Sequence, residues 1–264
     1  MLSLKSSAKG GVGLFATETI PAGTRILTEA PLIAFPHPPT PVEILNAVTS
    51  LPLSDRQDYL SLTYAHYLDE IHTVREPDSL DIYTHDIDEV PTLSVLEGLD
   101  ISPEKAKKII AIFENNAFDI IGTVPGANGV GIFMQGTRIN HSCLPNVSHQ
   151  WNKQLKAKTF HALRDIEAGE ELTIAYLLPF QARVGRQRYL LEKHGFVCEC
   201  LACDQSTTFG KASERRRKEM QELHEQLVEI RMEDGGLRQE KVLCERLIKV
   251  AKEEGLLGWS VGEL

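Results

Sequence analysis

The sequence predicts an α+β protein built from short strands, with one helical insertion and a helical hairpin after the β-rich part. Three observations lead there. Short apolar stretches broken by Gly and Pro fill residues 10–35 and return from 117 to 178. Between them runs a stretch with helical periodicity. After residue 204 the composition shifts: residues 205–264 hold 11 Lys/Arg and 12 Asp/Glu, with apolar residues at helical spacing. A chain of 264 residues with 42% hydrophobic and 25% charged residues is an ordinary globular chain, which excludes disordered, collagenous and coiled-coil classes.

Each segment has its own signals. In residues 1–35, Gly10-Gly11-Val12-Gly13 leads into Leu14-Phe15-Ala16, and Pro21-Ala22-Gly23 marks a turn. Arg25 to Glu29 and Leu32 to Phe35 read as strands. Pro36, Pro38, Pro39 and Pro41 close that segment. Residues 36–115 form the helical insertion. Leu60, Tyr64, Tyr67 and Leu68 share a helical face, and residues 75–91, rich in Asp, Glu and Pro, read as loop. Ser102 is an N-cap followed by Pro103, with Ile109, Ile110 and Phe113 on the apolar side. In residues 116–178, Glu171 to Tyr176 reads as a strand after the turn-rich Arg164–Gly169. Residues 179–204 open with a helix over 181–195. In residues 205–264, Met220, Leu223, Leu227 and Ile230 define one helix with a candidate cap at Ser213, and Leu243, Leu247 and Val250 a second that stops near Gly255. Gly235-Gly236 separates the two. The run Arg215-Arg216-Arg217-Lys218 reads as one turn of a solvated helix, with a nuclear-localisation signal as the alternative.

The formal net charge of −9 argues against direct nucleic-acid binding. Residues 36–115 carry 15 Asp/Glu against 5 Lys/Arg, so the acidity is concentrated there. A solvated acidic face explains this, and attraction for basic peptides is the other reading. No run reaches the roughly 18 apolar residues of a membrane span, and Met1 to Lys5 resembles no signal peptide. The expectation is an intracellular protein, nuclear or cytoplasmic, with no membrane partner.

Of five cysteines, three fall in Cys198-Glu199-Cys200-Leu201-Ala202-Cys203. An odd count with this density points to thiolate metal ligands rather than disulfides. A closed structural zinc site takes four ligands. Cys143, in the polar turn Asn140 to Asn146, is the natural fourth. Cys244 lies on an amphipathic helix and reads as a small apolar packing residue.

Four segments together resemble the SET-domain lysine methyltransferases, most nearly the branch with SET-MYND proteins and their fungal relatives. They are Gly11-Val12-Gly13-Leu14-Phe15-Ala16; Arg138 to Asn146, with its Asn-His-Ser-Cys-x-Pro-Asn signature; Glu170 to Tyr176; and Phe196 to Cys203. The resemblance covers residues 9–204 and implies a SET β fold of short sheets with a pseudo-knot. Residues 1–35 and 116–178 would be its two parts and 179–204 the post-SET zinc segment. The cofactor it implies is S-adenosylmethionine. By resemblance, the backbone at Gly11, Val12, Gly13 and Leu14 approaches that cofactor, Asn140 and His141 grip it through hydrogen bonds, and Phe196 stacks on its adenine. Asn116, in Asn116-Ala117-Phe118, resembles a further contact position. Tyr176 matches the active-site tyrosine, which also touches the cofactor.

The chain departs from that branch in places. No second Cys/His cluster occurs in these 264 residues, so the MYND module is missing from them. Relatives often carry a Tyr four residues before the first post-SET cysteine, lining the lysine channel; here that residue is His194. Leu177-Leu178 stands where a more polar pair is common. Three functions stay open: methyl transfer to a protein lysine, a SET-fold enzyme acting on a small molecule, and a non-catalytic module that binds a protein. The fold alone does not choose among them.

Overall fold

A computed structural model describes residues 1–64, 93–124, 127–178, 180–232 and 236–256. Its strands are β1 (Leu2–Ser6), β2 (Val12–Ala16), β3 (Arg25–Glu29), β4 (Ile33–Phe35), β5 (Phe118–Val124), β6 (Ala127–Ile132), β7 (Asn140–His141), β8 (Val147–Asn152), β9 (Ala157–Ala162) and β10 (Thr173–Ile174). Its helices are α1 (Pro41–Thr49), α2 (Leu53–Leu60), α3 (Leu93–Leu99), α4 (Pro103–Asn116), α5 (Arg183–His194), α6 (Thr208–Met232) and α7 (Leu237–Glu254). No helix among the described residues is long and apolar enough to cross a membrane. The mixture of helices and short sheets matches the expected α+β class.

The chain divides into two compact units. One comprises residues 27–138 and 150–159. Its antiparallel sheet has the order β4-β6-β5, with Ile33 opposite Ile132 and Phe118 opposite Gly131. Helix α1 starts in a capping box: Thr40 Oγ1 accepts from Glu43 N, and the Glu43 carboxylate accepts from Thr40 N at 2.8 Å. Ser102 caps α4 as expected, with Pro103 in the first turn. Ile44, Leu45, Val48, Tyr59, Ile109, Ile112 and Phe113 form the buried core with Ile33 and Ile132 from the sheet. Each such side chain contributes about 1.5–3 kcal/mol of hydrophobic stabilisation. The Tyr59 hydroxyl satisfies itself inside that core on the Ile109 carbonyl at 2.8 Å. Helix α2 ends at Leu60, so Tyr64 lies beyond it; Tyr67, Leu68 and residues 75–91 lie outside the described residues.

The other unit comprises residues 1–26, 139–149 and 160–264. Strands β1 and β2 form an antiparallel hairpin from Leu2 opposite Ala16 to Ser6 opposite Val12. Along its other edge β2 meets residues 169–172: Leu172 N donates to Leu14 O at 2.8 Å, and Ala16 N to Glu170 O at 2.9 Å. Strands β7 and β10 pair in parallel, Thr173 with Asn140 and Ile174 with His141. The expected strand over 171–176 therefore shrinks to two residues. Thr173 still gives its N–H away, but to the Asn146 side chain rather than to a neighbouring strand. Strands β3, β9 and β8 lie in that order in one further sheet, and the division into units falls within these strands.

Helices α6 and α7 pack through Met220, Leu223, Leu227, Leu247, Val250 and Ala251, with Leu243 and Cys244 at the edge. Gly255, in the left-handed region at φ 83°, ends α7 where the sequence placed the stop. Two expectations fail here. Ser213 is no cap: α6 starts at Thr208, the Thr207 hydroxyl accepts from Gly210 N at 2.9 Å, and Ser213 is buried inside the helix. The basic run is not a solvated turn either, because Arg217 is wholly buried. It falls four residues after Ser213 and three before Met220, on the helix's inner stripe.

Candidate functional site

The first wall of the site is the loop between β1 and β2. Gly10 and Gly11 take φ values of 100° and 66°, a region side chains rarely adopt. Gly13 is needed for another reason. A Cβ there would lie 2.8 Å from Asn140 Nδ2 and closer still to Glu171 Oε1. The space beside Gly13 is thus filled by a polar pair from the protein itself. Asn140 Nδ2 donates to Glu171 Oε1 at 2.7 Å and reaches the Val12 carbonyl at 3.4 Å. Lys9 Nζ pairs with Glu171 Oε2 at 3.0 Å. Burial pulls the Glu171 carboxyl up, but hydrogen bonds from Asn140, Ser7 and Lys9 and the Lys9 charge outweigh it, so the net shift is down. Leu14 is buried in β2 and presents its carbonyl to Leu172.

The signature turn from Asn140 to Asn146 forms the second wall. Asn146 is 1% exposed and locks it. Its Oδ1 accepts from Thr173 N at 2.7 Å, and its Nδ2 donates to the Glu171 carbonyl at 2.9 Å and to Glu170 Oε1 at 3.0 Å. One side chain thereby ties the turn to residues 170–173, the segment that leads into Tyr176.

His141 sits inside that turn. Its Nδ1 accepts the Tyr176 backbone N–H at 3.1 Å, so its proton resides on Nε2, which lies 3.3 Å from Cys143 Sγ. Burial is the main force pushing its pKa down to about 3, leaving a neutral ring. Both ring nitrogens are engaged within the protein. The Tyr176 hydroxyl donates to the Ile139 carbonyl at 2.9 Å. With its proton committed, that oxygen acts towards a ligand only as an acceptor. Burial, assisted by the Glu171 charge, raises the phenol well above its ordinary pKa and keeps it neutral.

An aromatic group surrounds the tyrosine. Ring centroids are 4.8 Å apart for Tyr176 and His194, 5.9 Å for Tyr189 and His194, 6.4 Å for His194 and Phe196, and 6.0 Å for His141 and Phe196. Both ring nitrogens of His194 are buried and have no hydrogen-bond partner among the described residues. An unmade hydrogen bond at a buried polar atom costs about 1–3 kcal/mol. Burial, then the Lys193 charge, lowers the His194 pKa to about 4, so the ring is neutral, with one donor and one acceptor unused.

The four sulfurs of Cys143, Cys198, Cys200 and Cys203 lie within 4.8 Å of one another. Cys143 Sγ is 3.9 Å from Cys198 Sγ and 3.6 Å from Cys203 Sγ. Zn–S bonds of about 2.3 Å in a tetrahedron require sulfur separations of about 3.8 Å, so the cluster is spaced to hold a metal ion such as zinc. Gly195, with φ 72°, ends α5 and turns the chain towards the cysteine run. Gln187 on α5 holds the run by donating to the Cys198 carbonyl at 2.6 Å and accepting its N–H at 3.0 Å.

Of the residues the sequence singled out, Gly11, Val12, Gly13, Leu14, Asn140, His141, Tyr176, His194, Phe196 and the four cysteines all fall in this one unit. Asn116 belongs to the other. Its amide nitrogen donates to the carbonyls of Ile112 and Thr63, each at 2.8 Å. Glu171 and Lys9 were given no role from sequence. The signal for Glu171 was a carboxylate within the Glu170–Tyr176 motif; nothing local marked Lys9.

The SET domain model matches residues 11–177, which is more than half of the chain, and the chain belongs to the SET-domain family. Among curated relatives, it is 31% identical over 211 residues to "Histone-lysine N-methyltransferase set5" of Schizosaccharomyces pombe, covering 80% of this chain and 53% of that protein. It is 29% identical over 177 residues to "Histone-lysine N-methyltransferase SMYD3" of Mus musculus, covering 65% of this chain and 35% of that one. The chain thus spans about half or less of the length of these relatives.

Proposed function

We propose that the protein is a protein-lysine N-methyltransferase that uses S-adenosylmethionine and holds one structural zinc ion at Cys143, Cys198, Cys200 and Cys203. The observation that carries the reading is the setting of Tyr176: its N–H and O–H are fixed on His141 and Ile139, beside a His194 whose two ring nitrogens are buried and unused. Orphaned polar atoms of this kind suit a ligand that brings its own donors and acceptors. The names of the curated relatives support a protein substrate and a histone among the candidates.

The residues present fit the cofactor. Lys9, Asn140 and Glu171 offer both charges, which suits the carboxylate and ammonium of an amino-acid end, and the Phe196 ring suits a flat adenine. When bound, the cofactor supplies a methyl group activated by a sulfonium. The chain's own residues do the rest. A substrate lysine, with a reference pKa of about 10.4, is driven towards its neutral form by desolvation among Tyr176, Tyr189 and His194. The Tyr176 oxygen, able only to accept, orients the amine by its N–H and leaves the nitrogen lone pair free. The zinc site fastens the segment that brings His194 and Phe196 to Tyr176. A thiolate site of this kind belongs in a reducing compartment, nucleus or cytoplasm. The aromatic surround of His194 also favours a second reading, a small-molecule amine as substrate.

The test is incubation of the full chain with labelled cofactor, histones and a cell extract, followed by identification of the labelled product. Label on a protein lysine is the expected result. A folded, zinc-loaded, cofactor-binding protein that labels no protein would overturn it, and label on a small molecule would favour the second reading.

A further inference from the structure

The metal centre has a buried counter-charge that the sequence did not announce. Arg186 on α5 and Arg217 on α6 are both wholly buried. Glu254, at the end of α7, is the one buried carboxylate among the described residues. It is already shared: Oε1 accepts from Arg217 Nε at 2.9 Å and from Ser213 Oγ at 2.5 Å, and Oε2 from Arg216 Nε at 2.7 Å. Among the described residues Arg186 has no carboxylate partner. Its Nε points at Cys143 Sγ at 3.2 Å, its Nη2 at Cys203 Sγ at 3.6 Å, and its Nη1 donates to the Gln181 carbonyl at 2.6 Å.

Charge decides what these contacts mean. Arg186 is a wholly buried guanidinium whose acceptors among the described residues are two sulfurs and one carbonyl, and a buried cation with no counter-charge is strongly disfavoured. Four neutral thiols do not correct it. Four thiolates around a divalent cation carry two negative charges, which answer the Arg186 charge. Arg217 reaches the same turn, since its Nη2 donates to the Cys143 carbonyl while its Nε holds Glu254.

We propose that Arg186 is the counter-ion and hydrogen-bond donor of the metal-bound thiolates of Cys143 and Cys203. Arg186 is a positioning residue: it touches no ligand of the reaction and acts on the metal through two sulfurs. The inference rests on the four-thiolate reading of the cysteine cluster and on nothing about methyl transfer.

Cobalt substitution and zinc transfer test it on the full chain. In cobalt-loaded protein, Arg186→Met should shift the sulfur-to-metal charge-transfer band to longer wavelength, because the thiolates lose two N–H donors. A purely packing role would leave that band in place. In zinc-loaded protein, transfer to a chromophoric chelator should be at least about tenfold faster for Arg186→Met, the usual scale for loss of a group that supports metal ligands. Arg186→Lys keeps the charge without the planar fork and should fall between the two. Wild-type protein without a tetrathiolate cobalt spectrum would overturn the metal reading itself. A normal wild-type spectrum, with band and transfer rate unmoved in Arg186→Met, would overturn the role of Arg186 alone. Should Arg186→Met fail to fold, an unmoved band and rate in folded Arg186→Lys would overturn that role equally.

Discussion

Replacing Asn146 by Ala removes the amide that locks the signature turn to the segment leading into Tyr176. Two backbone groups lose their partners: the buried Thr173 N–H, bonded at 2.7 Å, and the Glu171 carbonyl, bonded at 2.9 Å. At about 1–3 kcal/mol for each unsatisfied group, the loss comes to about 3 kcal/mol. For a chain of this size that lowers the melting temperature by about 6–12 °C. Asn146→Asp makes the argument sharper. It keeps the volume and the acceptor for Thr173, but loses both donors and sets a carboxylate against the Glu171 carbonyl and Glu170. If hydrogen bonding holds the turn, Asp should cost as much as Ala; if shape alone holds it, Asp should be almost neutral. Scanning calorimetry of the three proteins at neutral pH decides, and an Asp variant melting within about 2 °C of wild type would refute the reasoning.

Elemental analysis should find one zinc per chain, and Cys200→Ser should lower that content and expose the 196–204 segment to proteolysis, since binding energy here is folding energy. Gly13→Ala should weaken cofactor binding in calorimetry, because the added methyl displaces Asn140 and Glu171; overpacking of this kind also costs about 1–3 kcal/mol of stability. The Glu171 carboxyl is held below its ordinary pKa, so it contributes stability above the unfolded value of about 4.3 and loses it as pH falls through the lower folded value. Glu171→Gln should therefore flatten the acid limb of a melting-temperature profile, and an unchanged limb would contradict this. Tyr176→Phe should lower kcat far more than cofactor affinity, with undiminished methyl transfer counting against the hydroxyl's role.

Much of this molecule could be read from local sequence because the signals there are local. The cysteine run, the turn Asn140 to Asn146, the cap at Ser102 and the stop at Gly255 each need only a few neighbouring residues to be recognised. Strand β1 was missed because Ser3, Lys5 and Ser6 give Leu2–Ser6 only a weak apolar pattern, and it is fixed by pairing with β2 rather than by its own burial. The strand around Thr173 was overextended because a side-chain amide does the work of a neighbouring strand there. Arg217 was misread because four consecutive basic residues look solvated when counted together. Spacing held the correction: Ser213, Arg217 and Met220 form one stripe with Leu223 and Leu227. Lys9 finds Glu171 across 162 residues, and no local pattern reports such a pair.

The distance along the chain between Cys143 and the three cysteines grouped with it has a consequence for synthesis. The first sulfur emerges well before the others, so the site has one of its four ligands until residue 198 is made and is complete only at residue 203. At about 5–20 residues per second, the sixty or so intervening residues take about 3–12 s to translate. Throughout that interval Cys143 is a lone thiol on an unfinished fold, and the turn beside it waits for α5 and α6 to supply Arg186 and Arg217. Closing a loop of this length carries an entropic cost that grows only with the logarithm of its length. The cysteine cluster of the unit that holds Tyr176 and His194 is therefore complete only once residue 203 is made, and under the zinc reading proposed above metal capture follows that point.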